Sequence, residues 1–589
     1  LGRLGGGDVP QDDVGHPLTG RLHEDFFVTH TERDGTPTVR GDEVLGDTAP
    51  TRPAGGSPTG VSWTLLFEYL LTALVAAWIA QTAYDLLDVA WKFTTDDAYI
   101  SLRYGRHLAQ GHGLVWNVGE DPPVEGYSNF LFVLLGAFAY TVGWDPVLTL
   151  KIAGLIGFAL SPLLLWYVAR TWMGPIAALV PTVFLATYRG QVLWAVSGLE
   201  TTAFQALALA AFAAYVRGLG FRTTRSNSAP VFERADNPES HAAPSLISYR
   251  WLGVSGILLL LTTLTRPEAV VVAGAFAVGL AWRVRLDARA WATVTLTFLL
   301  PFAAYHLWRL DYFGALLPHS AVCKSRAVLR ATPLTKDLAN LLSPIALLAA
   351  IYPWRKLGSR HVVMWLVPIA YGFVLDGVDP VIGYWNRHGL LAYALTLLAA
   401  AVGLHEASKI IWPRARRLVR ESLLLTLVLA YSATFVEDPT AAIDKQASRY
   451  ARRSEQRAAA AAWFAERVKP SDWIVLGDDG QIPYELDAKV MDTFCLNSLE
   501  FTNPPIDWNA TRFADYIYRL KPRFVVVHSR SRTQLKPLAA YGTNPALVKN
   551  PDFRLFYTKR AVFGPPGDPF YYWVYERRGS EAPSKGPSR

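Results

Sequence analysis

The run VSWTLLFEYLLTALVAAWIAQTAYDLL (Val61–Leu87) is too long and too apolar for an ordinary globular helix. It exceeds the ~20 residues that an α-helix needs to cross the hydrocarbon core of a bilayer. Outward from it, further apolar runs lie near 127–143, 148–169, 174–188, 197–216, 251–265, 268–282, 290–308, 336–352, 361–376, 387–405 and 421–436. With the first they make about a dozen by the usual hydropathy criterion. The whole chain is 51% hydrophobic and 18% charged, a balance that excludes a disordered or fibrous protein. The sequence therefore predicts a polytopic α-helical membrane protein with about 11–12 transmembrane segments.

Charge orients these segments. The net charge of +8 does not mark a nucleic-acid binder, because the basic residues cluster in short stretches between apolar runs. Arg217, Arg222, Arg225 and Arg234 form one cluster, and Arg283, Arg285 and Arg289 a second. Arg355, Lys356 and Arg360, then Arg414, Arg416, Arg417 and Arg420, form two more. Pairs of spans separate them, so they share the cytoplasmic face. The opposite face receives residues 88–126, the turn at Arg266–Glu268, the loops 312–333 and 376–389, and everything after Phe435. Four apolar runs separate 88–126 from the basic loop at 217, an even number where an odd one is needed. One of them, 174–188 or 127–143, is then expected to be partial or re-entrant.

The ends are polar. Residues 1–60, rich in Gly, Pro, Asp and Thr, read as a disordered tail, as do residues 579–589. Between them and the spans, residues 456–578 carry the pattern of a soluble α/β domain. The helical AAAAAWFAERV precedes strand runs WIVLGD, KVMD, FVVVH, RLFYTK and FYYWVYERR, with a polar helix near Arg512–Leu520. Two cysteines, Cys323 and Cys495, exclude a disulfide framework or a four-thiolate metal site.

The chemistry concentrates in TTDDAYISLRYGRHLAQGHGLVWNVGEDPPVEGYSNF (Thr94–Phe130). Asp96 and Asp97 open a helix that carries Tyr99, Arg103 and His107 on one stripe with Asp96, and Gly111 is placed to stop it. Local capping by Thr94 and Asp97 accounts equally well for the first turn taken alone. Paired acids at a membrane surface are nevertheless costly without a polar ligand. A carboxylate beside cations is also what group transfer from a phosphate-linked donor requires.

This segment resembles the first extracytoplasmic loop of the bacterial GT-C glycosyltransferases related to the terminal β-arabinofuranosyltransferase of mycobacterial cell walls. That superfamily includes protein mannosyltransferases and lipid A aminoarabinose transferases. Similar elements follow in order: SGLETTAF (197–204), LTRPEA (264–269), YFGALLPHSAVCK (312–324), NRHGLL (386–391) and GDDGQIPYEL (477–486). The resemblance spans roughly 62–575, and its ordered set is more specific than any single motif. It implies a GT-C-like catalytic domain at 61–436, in a multi-pass protein of the bacterial plasma membrane with an extracytoplasmic active site. It also implies Asp97 or Asp96 as general base and a polyprenyl-phosphate sugar donor entering from the membrane lipids. The acceptor would be a glycan, a lipid or a protein. No cofactor is required by this reading, though a divalent metal is compatible with it.

Further candidates sit on the same face. Arg266, then Lys324 and Arg387, are the preferred phosphate ligands, with His319 and His388 beside them. Arg266 and Glu268 can alternatively pair across Pro267, and Glu200 can simply favour a helix N-terminus. Arg103 and His107 are counted with the donor-binding set. GDDGQIPYEL lacks the spacing of a dinucleotide loop and a Walker lysine, which argues against a nucleotide sugar. A transporter or lipid flippase with a charged translocation path is the competing class, and it predicts related halves with broken helices in matching positions. A scaffold presenting its C-terminal domain to partners leaves the first loop unexplained. The topology is tested by cysteine accessibility: a residue near 230 should label only from the cytoplasmic side and one near 120 only from outside, and the reverse pattern would refute the orientation.

Overall fold

The computed structural model describes residues 63–220, 247–285, 287–324, 358–376, 383–435, 437–477, 480–494, 496–498, 510–538 and 543–579, with scattered positions from 336 to 348. The tail expected at 1–60, the tail expected at 579–589 apart from Gly579, the basic loop 221–246, Cys495 and the pair Asp478–Asp479 lie outside the described residues, as do the side chains of Cys323 and Lys324.

The helices run in the order α1 (Trp63–Ala90), α2 (Ala98–Ala109), α3 (Phe130–Val142), α4 (Pro146–Ala169), α5 (Leu179–Thr187), α6 (Arg189–Ala195), α7 (Thr201–Gly218), α8 (Tyr249–Thr265) and α9 (Ala269–Val284). Next come α10 (Ala288–Val294), a π turn, α11 (Leu300–Phe313), α12 (His319–Lys324), α13 (Ser359–Asp376), a 3-10 turn (Tyr384–Gly389), α14 (Leu390–Ile411), α15 (Arg417–Phe435) and α16 (Thr440–Ala465). Among the described residues four stretches are long and apolar enough to cross a membrane: Trp63–Ala90, Pro146–Ala169, Ala288–Phe313 and Tyr384–Ile411. Phe130–Val142, Tyr249–Thr265, Ala269–Val284 and Arg360–Val374 are shorter apolar helices. Of the run near 174–188 only the nine-residue α5 is α-helical; it ends at Tyr188, whose ψ of 124° is extended, and the separate seven-residue α6 follows. At 1.5 Å per residue α5 covers only about 14 Å, less than half of a hydrocarbon core. Its entry turn is held by Glu421 of α15, which accepts from the amides of Gly174 and Ala177 at 3.0 and 3.4 Å.

The C-terminal sheet has the order β2-β1-β3-β5-β4, with β1 (Trp473–Leu476), β2 (Lys489–Asp492), β3 (Phe524–Ser529), β4 (Tyr557–Phe563) and β5 (Tyr571–Arg577). β1 pairs parallel with β2 and β3, while β3–β5 and β4–β5 are antiparallel. β3 reads FVVVHS and is buried throughout, as a central strand covered on both faces must be. RLFYTK differs from its reading as a strand: the prolyl turn Asn550–Pro551 starts a short helix, Pro551–Phe556, and the strand begins only at Tyr557.

The division near 456 falls inside α16, a continuous helix. Its first half packs Ile443, Ala447 and Tyr450 against Phe93 and Trp194 of the membrane part. Its second half packs Ala460 and Phe464 against the sheet. The loop that follows α1 shares that second core: Ile100, Tyr104, Trp116 and Tyr127 join Ile474, Leu476, Val490, Phe524 and Val526 in one cluster. α2 approaches α3 closely at Gly105, where an added Cβ would stand 2.9 Å from the Ala137 amide nitrogen. Arg103, 1% exposed, binds the two parts together. It donates to the carbonyls of Trp116 at 2.8 Å and Ala488 at 3.0 Å and to that of Pro483, and stacks 4.7 Å over the Trp116 ring. Lysine cannot fork across these acceptors. Arg103→Lys should therefore lower stability by roughly 3 kcal/mol, read as a reduced thermal unfolding temperature in detergent with normal membrane insertion.

Candidate active site

The adjacent acids of the first loop part company because successive helical residues differ by about 100° in direction. Asp96 faces the α/β domain. Its carboxylate accepts from the amides of Gly480 and Gln481, both at 2.9 Å, and pairs with Arg457 of α16 at 3.1 Å. Arg457 in turn donates to the Tyr572 hydroxyl at 2.9 Å. Tyr99, Arg103 and His107 follow on the same stripe: Tyr99 packs on Tyr484, and His107 Nδ1 donates to the Val115 carbonyl at 2.9 Å. The expected stripe is real, but it looks into the protein.

Asp97 is half-buried, and its carboxylate has no hydrogen-bond or ion-pair partner among the described residues. It does not cap its own helix, so the capping box is not formed. Tyr450 of α16 is within its electrostatic reach, and Tyr450 packs edge-on against the exposed Tyr384. One turn along from Asp97 on the same face, the Ser101 hydroxyl donates to Asn129 at 2.8 Å. Asn129 donates to Glu200 at 2.9 Å. Glu200 receives Arg387 at 3.1 Å and lies 3.6 Å from Arg266. Arg266 also pairs with Glu268, Nε to Oε1 at 2.6 Å, and donates to His388 Nδ1. Four separate sequence segments thus form one buried polar chain that starts beside Asp97.

Local geometry explains the convergence. The Thr95 amide and hydroxyl donate to the Ser197 carbonyl at 3.0 and 3.1 Å, docking the acidic turn on SGLE. Gly198 at φ +78° makes that docking possible, since a Cβ there would stand 3.0 Å from Ala98. Trp385 and Asn386 are both left-handed, at φ 49° and 58°. This strained pair turns Arg387 and His388 back toward Glu200 and Arg266. Tyr188 supports it by donating to the Trp385 carbonyl at 3.1 Å.

A family profile described as a domain of unknown function (DUF8728) matches residues 444–575, which take in most of α16 and the sheet. Over 318 residues the chain is 29% identical to the terminal β-(1→2)-arabinofuranosyltransferase of Corynebacterium glutamicum, a match covering 51% of this chain and 42% of that protein. The chain thus spans less than half of that relative. ArnT from Cupriavidus metallidurans in the apo state superimposes with a TM-score of 0.51 at 12% identity, covering 87% of this chain and 100% of the other. The Archaeoglobus fulgidus oligosaccharyltransferase tethered with an acceptor peptide gives 0.51 at 12% identity, covering 84% and 74%. The chain shares the fold of these two solved structures. At such identities the likeness concerns fold, and chemistry has to be argued from the residues.

Within this chain, Glu200, Arg266, Glu268, Arg387 and His388 come together. Arg103 and His107 are instead engaged with carbonyls of the loop and the α/β domain. His319 is also tied inward, its Nε2 2.9 Å from the Ser498 carbonyl and its amide donating to Glu125 O at 3.0 Å. Among the described residues no group of three or more His, Cys, Asp or Glu side chains is disposed to hold a divalent metal. Asn129, Ser101 and the Glu125–Arg309 pair were not singled out from sequence. Arg309 grips Glu125 with Nε at 3.1 and 3.2 Å, and burial pushes the Glu125 carboxyl up against the arginine's opposing pull. An arginine just beyond the apolar run 290–308 was the available signal, because such a group needs an anion.

Burial, helped by Arg103, pushes His107 down to about 4. The unfolded chain takes up this proton near pH 6.5. The group's contribution is therefore complete above pH 6.5 and is lost as pH falls through 4. Unfolding temperatures should drop over that window, and His107→Gln should flatten the drop while lowering the plateau.

Proposed function

We propose that this chain is an integral membrane glycosyltransferase that moves a sugar from a polyprenyl-phosphate donor to an acceptor hydroxyl on the extracytoplasmic side of the bacterial plasma membrane. The observation that carries the reading is the division of labour between neighbouring acids. Asp96 is consumed by two amides and an arginine, whereas Asp97 keeps an uncommitted carboxylate at the head of a polar chain that ends in two buried arginines.

The chemistry follows from that arrangement. Asp97 takes the proton of the acceptor hydroxyl as its oxygen attacks the anomeric carbon. The bond from that carbon to the phosphate oxygen breaks on the opposite face, so the anomeric centre inverts. Arg266 and Arg387 receive the charge that develops on the departing phosphate. Lys324, whose side chain lies outside the described residues, is a third candidate ligand. The likeness to an arabinofuranosyltransferase supports a glycan acceptor, and the cationic groups at the membrane favour a lipid-linked donor over a nucleotide sugar.

Purified protein should transfer radiolabelled sugar from polyprenyl phosphate to an acceptor glycan and show no turnover with a nucleotide sugar alone. Asp97→Asn should fold and bind donor but lose on the order of 10²-fold or more in turnover, the usual scale for a general base. Asp96→Asn should cost less in rate and more in stability. Full activity in both variants would remove the enzymatic reading of this loop.

A further inference from the structure

The buried charges of the site cancel. Arg266 and Arg387 are matched by Glu200 and Glu268, and His388 accepts from Arg266 as a neutral ring. A phosphate headgroup reaching Arg266 brings at least one further negative charge into this closed set, and an uncompensated buried charge is costly. One carboxylate has to yield. The two are not equivalent. The Glu200 side chain is 4% exposed and is held by Asn129 and Arg387 as well as lying near Arg266. Glu268 is 17% exposed, and among the described residues Arg266 is its ion-pair partner.

A second observation shows where Glu268 can go. α13 packs along α9, the helix that Glu268 opens, and presents Tyr371 fully buried. Among the described residues the Tyr371 hydroxyl has no hydrogen-bond partner, and it is within electrostatic reach of both Glu268 and Arg266. A buried hydroxyl is rarely left without a partner, so an orphan beside a charged pair marks a bond made in another state.

We propose that Glu268 is a built-in occupant of the phosphate site on Arg266, and that the Tyr371 hydroxyl receives its carboxylate when an anionic phosphate headgroup takes its place. The inference rests on Arg266 as a phosphate ligand. Glu268 thereby makes the site selective for a headgroup able to displace it, and Tyr371 acts as a positioning residue through Glu268.

The test is equilibrium binding of a polyprenyl phosphate, with the uncharged polyprenol as reference, to the purified chain in detergent. Glu268→Gln removes the competing charge and should tighten polyprenyl phosphate binding about tenfold, while Tyr371→Phe should weaken it by roughly three- to tenfold. In the Glu268→Gln background, Tyr371→Phe should lose most of its effect, an epistasis that a purely structural tyrosine would not show. Polyprenol binding should be the same in all four proteins. Weaker or unchanged binding in Glu268→Gln, or an undiminished Tyr371→Phe effect in that background, would overturn the exchange and leave Arg266 as a ligand. Should Glu268→Gln fail to fold, equal weakening of polyprenol and polyprenyl phosphate by Tyr371→Phe would overturn it. Polyprenyl phosphate binding that is absent, or unaltered by Arg266→Gln, would overturn the phosphate reading and this inference together.

Discussion

The contact on which the rest depends is the carboxylate of Asp96 set against the amides of Gly480 and Gln481 and the guanidinium of Arg457. The Asp96 and Arg457 side chains are each 6% exposed, so the charges have little water to fall back on. A buried charge that loses its partner is strongly penalised, so this contact registers the first loop against the α/β domain. Once Asp96 is held there, the helical step of about 100° directs Asp97 and Ser101 away from it, Asp97 toward Tyr450 and Ser101 toward Asn129. The position of the uncommitted acid follows from where its neighbour is anchored.

The same contact changes how the C-terminal domain is understood. A turn after β1 that opens a short helix is the kind of place where an α/β domain binds an anion. Here the anion is supplied by the chain itself. The carboxyl ends of the parallel strands are turned toward the first loop, with Ser498 taking His319 and Asn497 meeting Gly126 and Tyr104. Trp116, Tyr104 and Phe524 then fill one core. Domain and loop share one core, and α16 ties them to the membrane helices without a break.

Much of this was legible in advance. Apolar length marked the membrane helices, alternation and β-branched runs marked the strands, and the ordered motifs named Glu200, Arg266, Glu268, Arg387 and His388 before their meeting was known. Less legible were partners that lack a pattern of their own. Asn129 is one polar residue in front of an apolar helix, and Tyr371 is an aromatic within one, where packing is the common use. Arg103 and His107 looked like ligand-binding cations because their stripe was visible while the surface it meets was not.

What the sequence determined by itself was local and periodic: which stretches are apolar enough for a bilayer, where helices start and stop, and which side chains share a helical face. Those properties depend on neighbours within a few residues. Only the tertiary structure decided which of two adjacent acids is consumed, that α5 ends after nine residues, and that two arginines far apart in sequence share one glutamate. Each of these depends on contacts between segments tens to hundreds of residues apart. The energy of a buried charge is set by what surrounds it in space, and a linear pattern carries no record of that.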